Sequence, residues 1–352
     1  MESKFEITTS CNNTANKAEE THEISSSPSK ELVKSVGRPF VIREIVGKGR
    51  GLVATTKIDK GTRILSEAPI FTVPRNNPDI EALERIVENK VKCLNEDQQR
   101  TFFDLTNIYG NVHSQSLGIS RTNVLPLGSK ANCGGLFLET SRINHSCRHN
   151  AQNTWNENLQ RLTIHALRDI EEGQEITITY LASTSTYAER HHFLKEKFGF
   201  DCKCELCSLP QAEKKCSDAR LSKLQVLDSL IGALLWDDSE PEQALHLLHM
   251  MLGLFNEEGI WDGTIARAYN DAYEIAIQNG DEPRAAIFAE RAYDVRRLIE
   301  GDDSSVTMKM KRAVETLPTH TPQGMDEAEF ENWLWMLSET SEDSDYIGSD
   351  DY

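Results

Sequence analysis

The run CKCELC (202–207) places Cys202, Cys204 and Cys207 in C-x-C-x2-C spacing, three of the four thiolate or imidazole ligands that a tetrahedral zinc site needs. A fourth ligand must come from elsewhere. Cys216, His191 and His192 lie nearby in the chain, whereas Cys147, within NHSCRHN (144–150), requires the fold to join two distant segments. Spacing alone leaves these alternatives open. A second residue with chemical potential is Tyr180, at the end of the strand-like QEITITY (174–180); a tyrosine there is by default a half-buried packing residue with a wet hydroxyl. A third feature, GKGRG (47–51), fits neither the Walker pattern nor G-x-G-x-x-G, but its glycines allow a backbone to come close to a ligand.

These residues sit in a chain of 352 residues with 38% hydrophobic and 27% charged content, long enough for two packed lobes. The opening thirty residues, dominated by Ser, Thr, Asn, Lys and Glu, lack the apolar core of a signal peptide and predict a disordered arm over 1–34. No stretch has the length and hydropathy of a membrane span. Eight cysteines without an export signal argue for metal binding or free thiols rather than disulfides, hence for the nucleus and/or cytoplasm. The net charge of −18 and the absence of a basic stripe argue against direct nucleic-acid binding and favour a basic protein partner. Part of that charge falls in ETSEDSDYIGSDDY (339–352), which reads as a solvated, disordered acidic tail. The isolated Cys93 and Cys133 read as small buried hydrophobes.

The elements that must position these groups begin with β-rich runs at 40–46, 51–55 and 64–74. Helical spacing at Ile80, Leu83, Ile86, Val87 and Val91, then a second helix-like run near 96–109, marks a helical insert at about 76–130. Strand patterns resume at 134–139, 151–155, 161–167 and 174–180, and a helix is expected from TYAERHHFLKEKFGF. From about Ser217 the chain is helical, with a stripe at Leu221, Leu224, Leu227, Ile231 and Leu234. Asn279-Gly280 separates two amphipathic helices whose alanines, among them Ala268, Ala272, Ala285 and Ala289, suit close stacking of tetratricopeptide kind or of an ordinary bundle.

Taken together, GKGRGLVAT, NHSC followed by Asn150, GQEITITY and F-x-C-x-C-x-x-C resemble, in family order across 40–210, the motifs of a SET-domain protein lysine methyltransferase. The resemblance extends to the SET and MYND family, in a fungal-type form without the MYND cysteine set. It implies an α+β chain: a β-rich SET fold with a pseudoknot over 35–182, a zinc-binding post-SET segment at 183–210, and an α-helical, tetratricopeptide-like C-terminal lobe over 217–338. The implied cofactors are S-adenosylmethionine and Zn2+, the latter held by Cys147, Cys202, Cys204 and Cys207.

By the same resemblance Lys48, Gly49, Arg50, Asn123, Asn144 and His145 contact S-adenosylmethionine, Phe200 stacks on its adenine, and Tyr180 is the catalytic tyrosine. Phe198 lines the substrate channel where relatives often carry a second tyrosine. His149 stands where the family usually has proline. The substrate is expected to be a protein presenting a lysine, histone or non-histone, and the enzyme a monomer. An inactive SET scaffold that binds partners through its lobe is the alternative; retention of Asn144, His145 and Tyr180 stands against it.

Overall fold

Phe40–Ile45 (β1) and Gly49–Ala54 (β2) form a hairpin whose turn closes with the Lys48 N–H donating to the Ile45 carbonyl at 3.0 Å. Gly47 and Gly49 flank that turn at φ 75° and 71°, a left-handed backbone that glycine adopts without Cβ strain. The computed structural model describes residues 37–128, 130–182, 184–237, 240–317 and 324–336; the expected arm at 1–34 and tail at 339–352 lie outside the described residues. The expected run 64–74 divides into Arg63–Glu67 (β3) and Phe71–Pro74 (β4), which enter different sheets. Pro69, between them, has no N–H to give a ladder.

Three helices fill the expected insert. Ile80–Lys92 (α1) is capped by Asp79, which accepts the Ala82 N–H, and buries Leu83, Val87 and Val91 on one face. Glu96–Phe103 (α2) starts from a capping box of Asn95 and Gln98, and Gln115–Asn123 (α3) packs against α1. Short strands Leu125–Pro126 (β5) and Cys133–Leu136 (β6) then join β4 in a sheet ordered β4-β6-β5. Cys93 follows α1 and is exposed, and Cys133 is half-buried, so neither is the buried hydrophobe expected.

Asn144–His145 (β7), Ala151–Asn156 (β8), Arg161–Ala166 (β9) and Glu175–Ile178 (β10) complete the core. One sheet runs β1-β2-β10-β7 and another β3-β9-β8. The β7–β10 pair is parallel, Thr177 opposite Asn144 and Ile178 opposite His145, which lays NHSC beside ITITY. Beneath it Leu52, Ile143, Ile164, Ile176 and Ile178 form the buried core. Tyr187–Phe198 (α4) follows, begun by a Thr186–Glu189 capping box and ended by Gly199 at φ 74°.

Helices Gln211–Asp237 (α5), Pro241–Glu258 (α6), Gly263–Gln278 (α7), Glu282–Glu300 (α8), Ser305–Thr316 (α9) and Glu327–Leu334 (α10) make the C-terminal lobe. α5 starts at Gln211, directly after Pro210 and ahead of Ser217, where the helical pattern was first apparent. α7 and α8 form the antiparallel hairpin expected around Asn279-Gly280, with Ala268, Ala272, Ala285 and Ala289 buried.

The lobe is joined to the β-rich core through α8, which crosses β8 and β9, and through a polar clamp. Both guanidinium ends of Arg63 donate to the Asp303 carboxylate, at 2.9 and 2.5 Å, while Asn156 Nδ2 donates to Asp303 Oδ1 at 2.9 Å. Arg63 Nε donates to His165 Nε2 at 3.1 Å, and His165 is only 2% exposed. Burial first, then the Arg63 charge, brings the His165 pKa down from 6.5 to about 4.

The unfolded imidazole therefore takes up its proton near pH 6.5 and the folded one only near pH 4. Stability is expected to fall as pH drops through that window, by up to about 3 kcal/mol. Asp303, held below its usual range first by its hydrogen bond with Arg63, adds a loss of the same sign at still lower pH. Melting temperatures measured between pH 7 and pH 4 should decline less steeply in His165→Gln than in the parent; equal slopes would remove His165 as the cause.

Candidate active site and thiolate cluster

Asn144 and His145 share one short strand yet serve different neighbours. The Asn144 amide donates to Glu175 Oε1 at 2.9 Å and more weakly to the Arg50 carbonyl at 3.4 Å. Such an approach requires Gly51, because a Cβ there would lie 2.6 Å from Asn144 Nδ2. Lys48 Nζ donates to the other oxygen of Glu175 at 2.6 Å. The Arg50 side chain turns to Asp104 and Glu44, so its backbone is what faces Asn144. Lys48, Gly49, Arg50 and Asn144 are thus gathered toward one end of the β1-β2-β10-β7 sheet.

His145 is buried, and each ring nitrogen has a partner. The backbone N–H of Tyr180 donates to Nδ1 at 3.0 Å, which fixes the other nitrogen as the N–H donor, and Nε2 lies 3.3 Å from Cys147 Sγ. Tyr180 is not the last residue of a strand: β10 ends at Ile178 because its partner β7 is only two residues long, and the next available acceptor for the Tyr180 N–H is the His145 ring. The residue is half-buried and its hydroxyl is paired. It donates to the Ile143 carbonyl at 2.7 Å, and burial first, then the Glu175 charge, pushes the phenol well above its usual pKa of 10.

Aromatic rings pack near the Tyr180 ring. Phe198 lies 4.8 Å from Tyr180 between ring centroids, and Phe200 meets Tyr180 edge-on at 6.5 Å and His145 at 6.2 Å. The left-handed Gly199 turns the chain so that both phenylalanines reach the same cluster. Asn123 stands apart: among the described residues its amide donates to the Thr106 and Ile119 carbonyls, at 2.7 and 2.8 Å, and it reaches the motif only through its own carbonyl, which accepts from Ser141.

The Sγ atoms of Cys147, Cys202, Cys204 and Cys207 all lie within 4.8 Å of one another, with Cys147 at 3.6 Å from Cys207 and 4.0 Å from Cys202. Four sulfurs about 2.3 Å from a tetrahedral centre would be about 3.8 Å apart, and a disulfide would need about 2 Å, so the group has metal-site dimensions. The thiols also perturb one another: hydrogen bonding from Cys147 brings Cys204 down to about 5, while Cys147 itself is driven far up by Cys202, Cys204 and Cys207. A thiophilic dication relieves that competition by accepting all four sulfurs as thiolates. The alternative ligands lie elsewhere. His191 stacks on Tyr187, His192 pairs with Glu196, and Cys216 is exposed on α5.

His149, the departure from the family's proline, contacts the lobe, with Nε2 3.6 Å from Asp262 Oδ2 and a side chain 10% exposed. Two residues escaped the sequence reading altogether. Glu175 joins Lys48 to Asn144, and Glu67 accepts the N–H groups of Leu138 and Thr140, each at 2.8 Å, setting the approach to NHSC. An acidic residue opening a buried strand was the available signal for Glu175.

This assembly, in which a parallel strand pair brings NHSC beside a half-buried tyrosine and a cluster of four cysteines, fits a SET domain, and the family description "SET domain" matches residues 49–181. The chain belongs to the SET-domain lysine methyltransferase family. It is 34% identical over 282 residues to the histone-lysine N-methyltransferase set5 of Schizosaccharomyces pombe, covering 80% of this chain and 85% of that protein. Shorter matches join it to the human histone-lysine N-methyltransferase SMYD3, 33% identical over 35% of this chain and 27% of SMYD3. Another is the mouse protein-lysine N-trimethyltransferase SMYD5, 40% identical over 23% of this chain and 20% of SMYD5.

Proposed function

We propose that this protein-lysine methyltransferase uses S-adenosylmethionine to methylate a lysine ε-amine on a protein substrate, with Tyr180 orienting the amine. The observation that carries the reading is the position of His145, whose ring joins the Tyr180 backbone to Cys147 and so ties the tyrosine to the thiolate cluster. Bound S-adenosylmethionine supplies an electrophilic sulfonium methyl. The residues fit it: Gly51 leaves room beside Asn144, the Asn144 amide has an acceptor oxygen to offer, and Phe200 presents an aromatic face. Asn123 offers no free amide to the cofactor, since that amide is committed to backbone carbonyls.

A half-buried phenol raised in pKa is a poor base at neutral pH and a good hydrogen-bonding partner. Tyr180 keeps its proton on the Ile143 carbonyl and turns a lone pair toward the incoming amine, which lines up nitrogen and methyl. Phe198 adds an apolar wall with no hydroxyl, and a dry channel favours the neutral amine over the ammonium form. Zinc on Cys147, Cys202, Cys204 and Cys207 would act structurally, fixing the segment that carries Phe198 and Phe200.

The net charge of −18 supports a basic substrate segment rather than nucleic acid, and the thiolate cluster suits the reducing nucleus or cytoplasm. Among the described residues no helix is long and apolar enough to cross a membrane. The scaffold alternative is the weaker reading, because two hydrogen bonds, to His145 and to the Ile143 carbonyl, hold Tyr180 in one orientation. Asn144→Ala is expected to weaken S-adenosylmethionine binding about tenfold or more by calorimetry, with metal content unchanged. Parental affinity in that variant would refute the assigned cofactor pocket.

A further inference from the structure

Glu175 stands at the centre of the groups just assigned to the cofactor, yet neither motif nor spacing gives it a role. It opens β10, its side chain is 18% exposed, and its two oxygens face different donors: Oε1 takes the Asn144 amide at 2.9 Å and Oε2 takes Lys48 Nζ at 2.6 Å. An ionised carboxylate only accepts hydrogen bonds, so the Asn144 amide must turn its NH2 toward Glu175. Its carbonyl oxygen is then directed away from Glu175, as an acceptor. Without that partner an asparagine amide can present either end, and half of its orientations offer a donor where an acceptor is needed.

The ammonium of an amino-acid moiety is a donor-only group and requires such an acceptor. The surrounding backbone is built for this arrangement, since a Cβ at residue 51 would lie 2.6 Å from Asn144 Nδ2 and 3.1 Å from Glu175 Oε1. Stabilisation through the Lys48 ion pair is a weaker explanation. Lys48 is 37% exposed, and exposed pairs contribute little to folding.

We infer that Glu175 is a positioning residue for methyl-donor binding: it locks the Asn144 amide so that its oxygen accepts from the α-ammonium of S-adenosylmethionine. The inference rests on the cofactor reading of Asn144. It makes the methionine portion of the cofactor, and not the adenosine portion, the part that senses Glu175.

Binding of S-adenosylmethionine and of methylthioadenosine, which lacks the amino-acid group, to the full chain separates this role from a structural one. Glu175→Ala is expected to lose about tenfold or more in affinity for S-adenosylmethionine, the scale of a hydrogen bond to a charged group, and none for methylthioadenosine. Glu175→Gln, whose carbonyl still accepts from Asn144, should recover most of the loss. Parental S-adenosylmethionine affinity in Glu175→Ala, or an equal loss for both ligands, overturns the inference and leaves the proposed function standing. Parental affinity in Asn144→Ala would instead remove the reading on which it rests.

Discussion

Tyr180→Phe is expected to keep its fold, its metal and most of its cofactor affinity while methyl transfer falls about 100-fold or more. The hydroxyl is the only part removed, and its partner, the Ile143 carbonyl, lies at 2.7 Å in the buried core. Leaving that carbonyl unpaired costs about 1–3 kcal/mol of stability, which a melting curve registers without unfolding the protein. The larger effect falls on the transition state, where a lysine amine without an orienting acceptor samples many unproductive directions. Because burial and the Glu175 charge hold the phenol above its usual range, the residual activity of the variant should keep the pH profile of the parent. Single-turnover assays with labelled cofactor and protein substrate measure both. A variant that methylates at the parental rate would dismiss the orienting role.

The motifs were visible in the sequence because each is local: three cysteines in one turn, a glycine hairpin and an alternating strand keep their signatures whatever the rest of the chain does. The Sγ atoms of Cys147, Cys202, Cys204 and Cys207 gather within 4.8 Å of one another, a grouping that spacing alone left open. What escaped were side chains whose partners lie far away in the chain. Glu175 with Lys48, Arg63 with Asp303, and His149 with Asp262 leave no periodic trace, and their meaning depends on which surfaces the fold brings together.

Tyr180 illustrates a subtler gap. Alternation in QEITITY predicts a strand to its last residue, but a strand extends only as far as its neighbour, and β7 offers two residues. The tyrosine therefore leaves the ladder and takes its backbone acceptor from a side chain, His145. The break at Pro69 has the opposite origin. There the local chemistry was present in the sequence, and the apolar run around it concealed the division between β3 and β4.

Cys147→Ser should have the widest consequences of any single substitution at the cluster, because Cys147 is the cluster's one sulfur from the NHSC segment, set against Cys202, Cys204 and Cys207. The parent is expected to bind one zinc per chain and the variant to lose it, since a hydroxyl is a poor substitute for a thiolate. Structural zinc contributes folding free energy directly, so 198–207 should become sensitive to protease, and Phe198 and Phe200 should lose their positions against Tyr180. His145 is affected at the same time. Its Nε2 loses the sulfur 3.3 Å away, and the ring that holds the Tyr180 N–H is freed to rotate, so methyl transfer should fall further than in Tyr180→Phe. Cys204→Ser should release the metal as well but leave the His145–Cys147 contact possible, and Cys216→Ser, on the exposed face of α5, should change nothing. Metal analysis with limited proteolysis distinguishes the three variants. Full zinc content in Cys147→Ser would exclude it as the fourth ligand and return the assignment to Cys216 or a histidine.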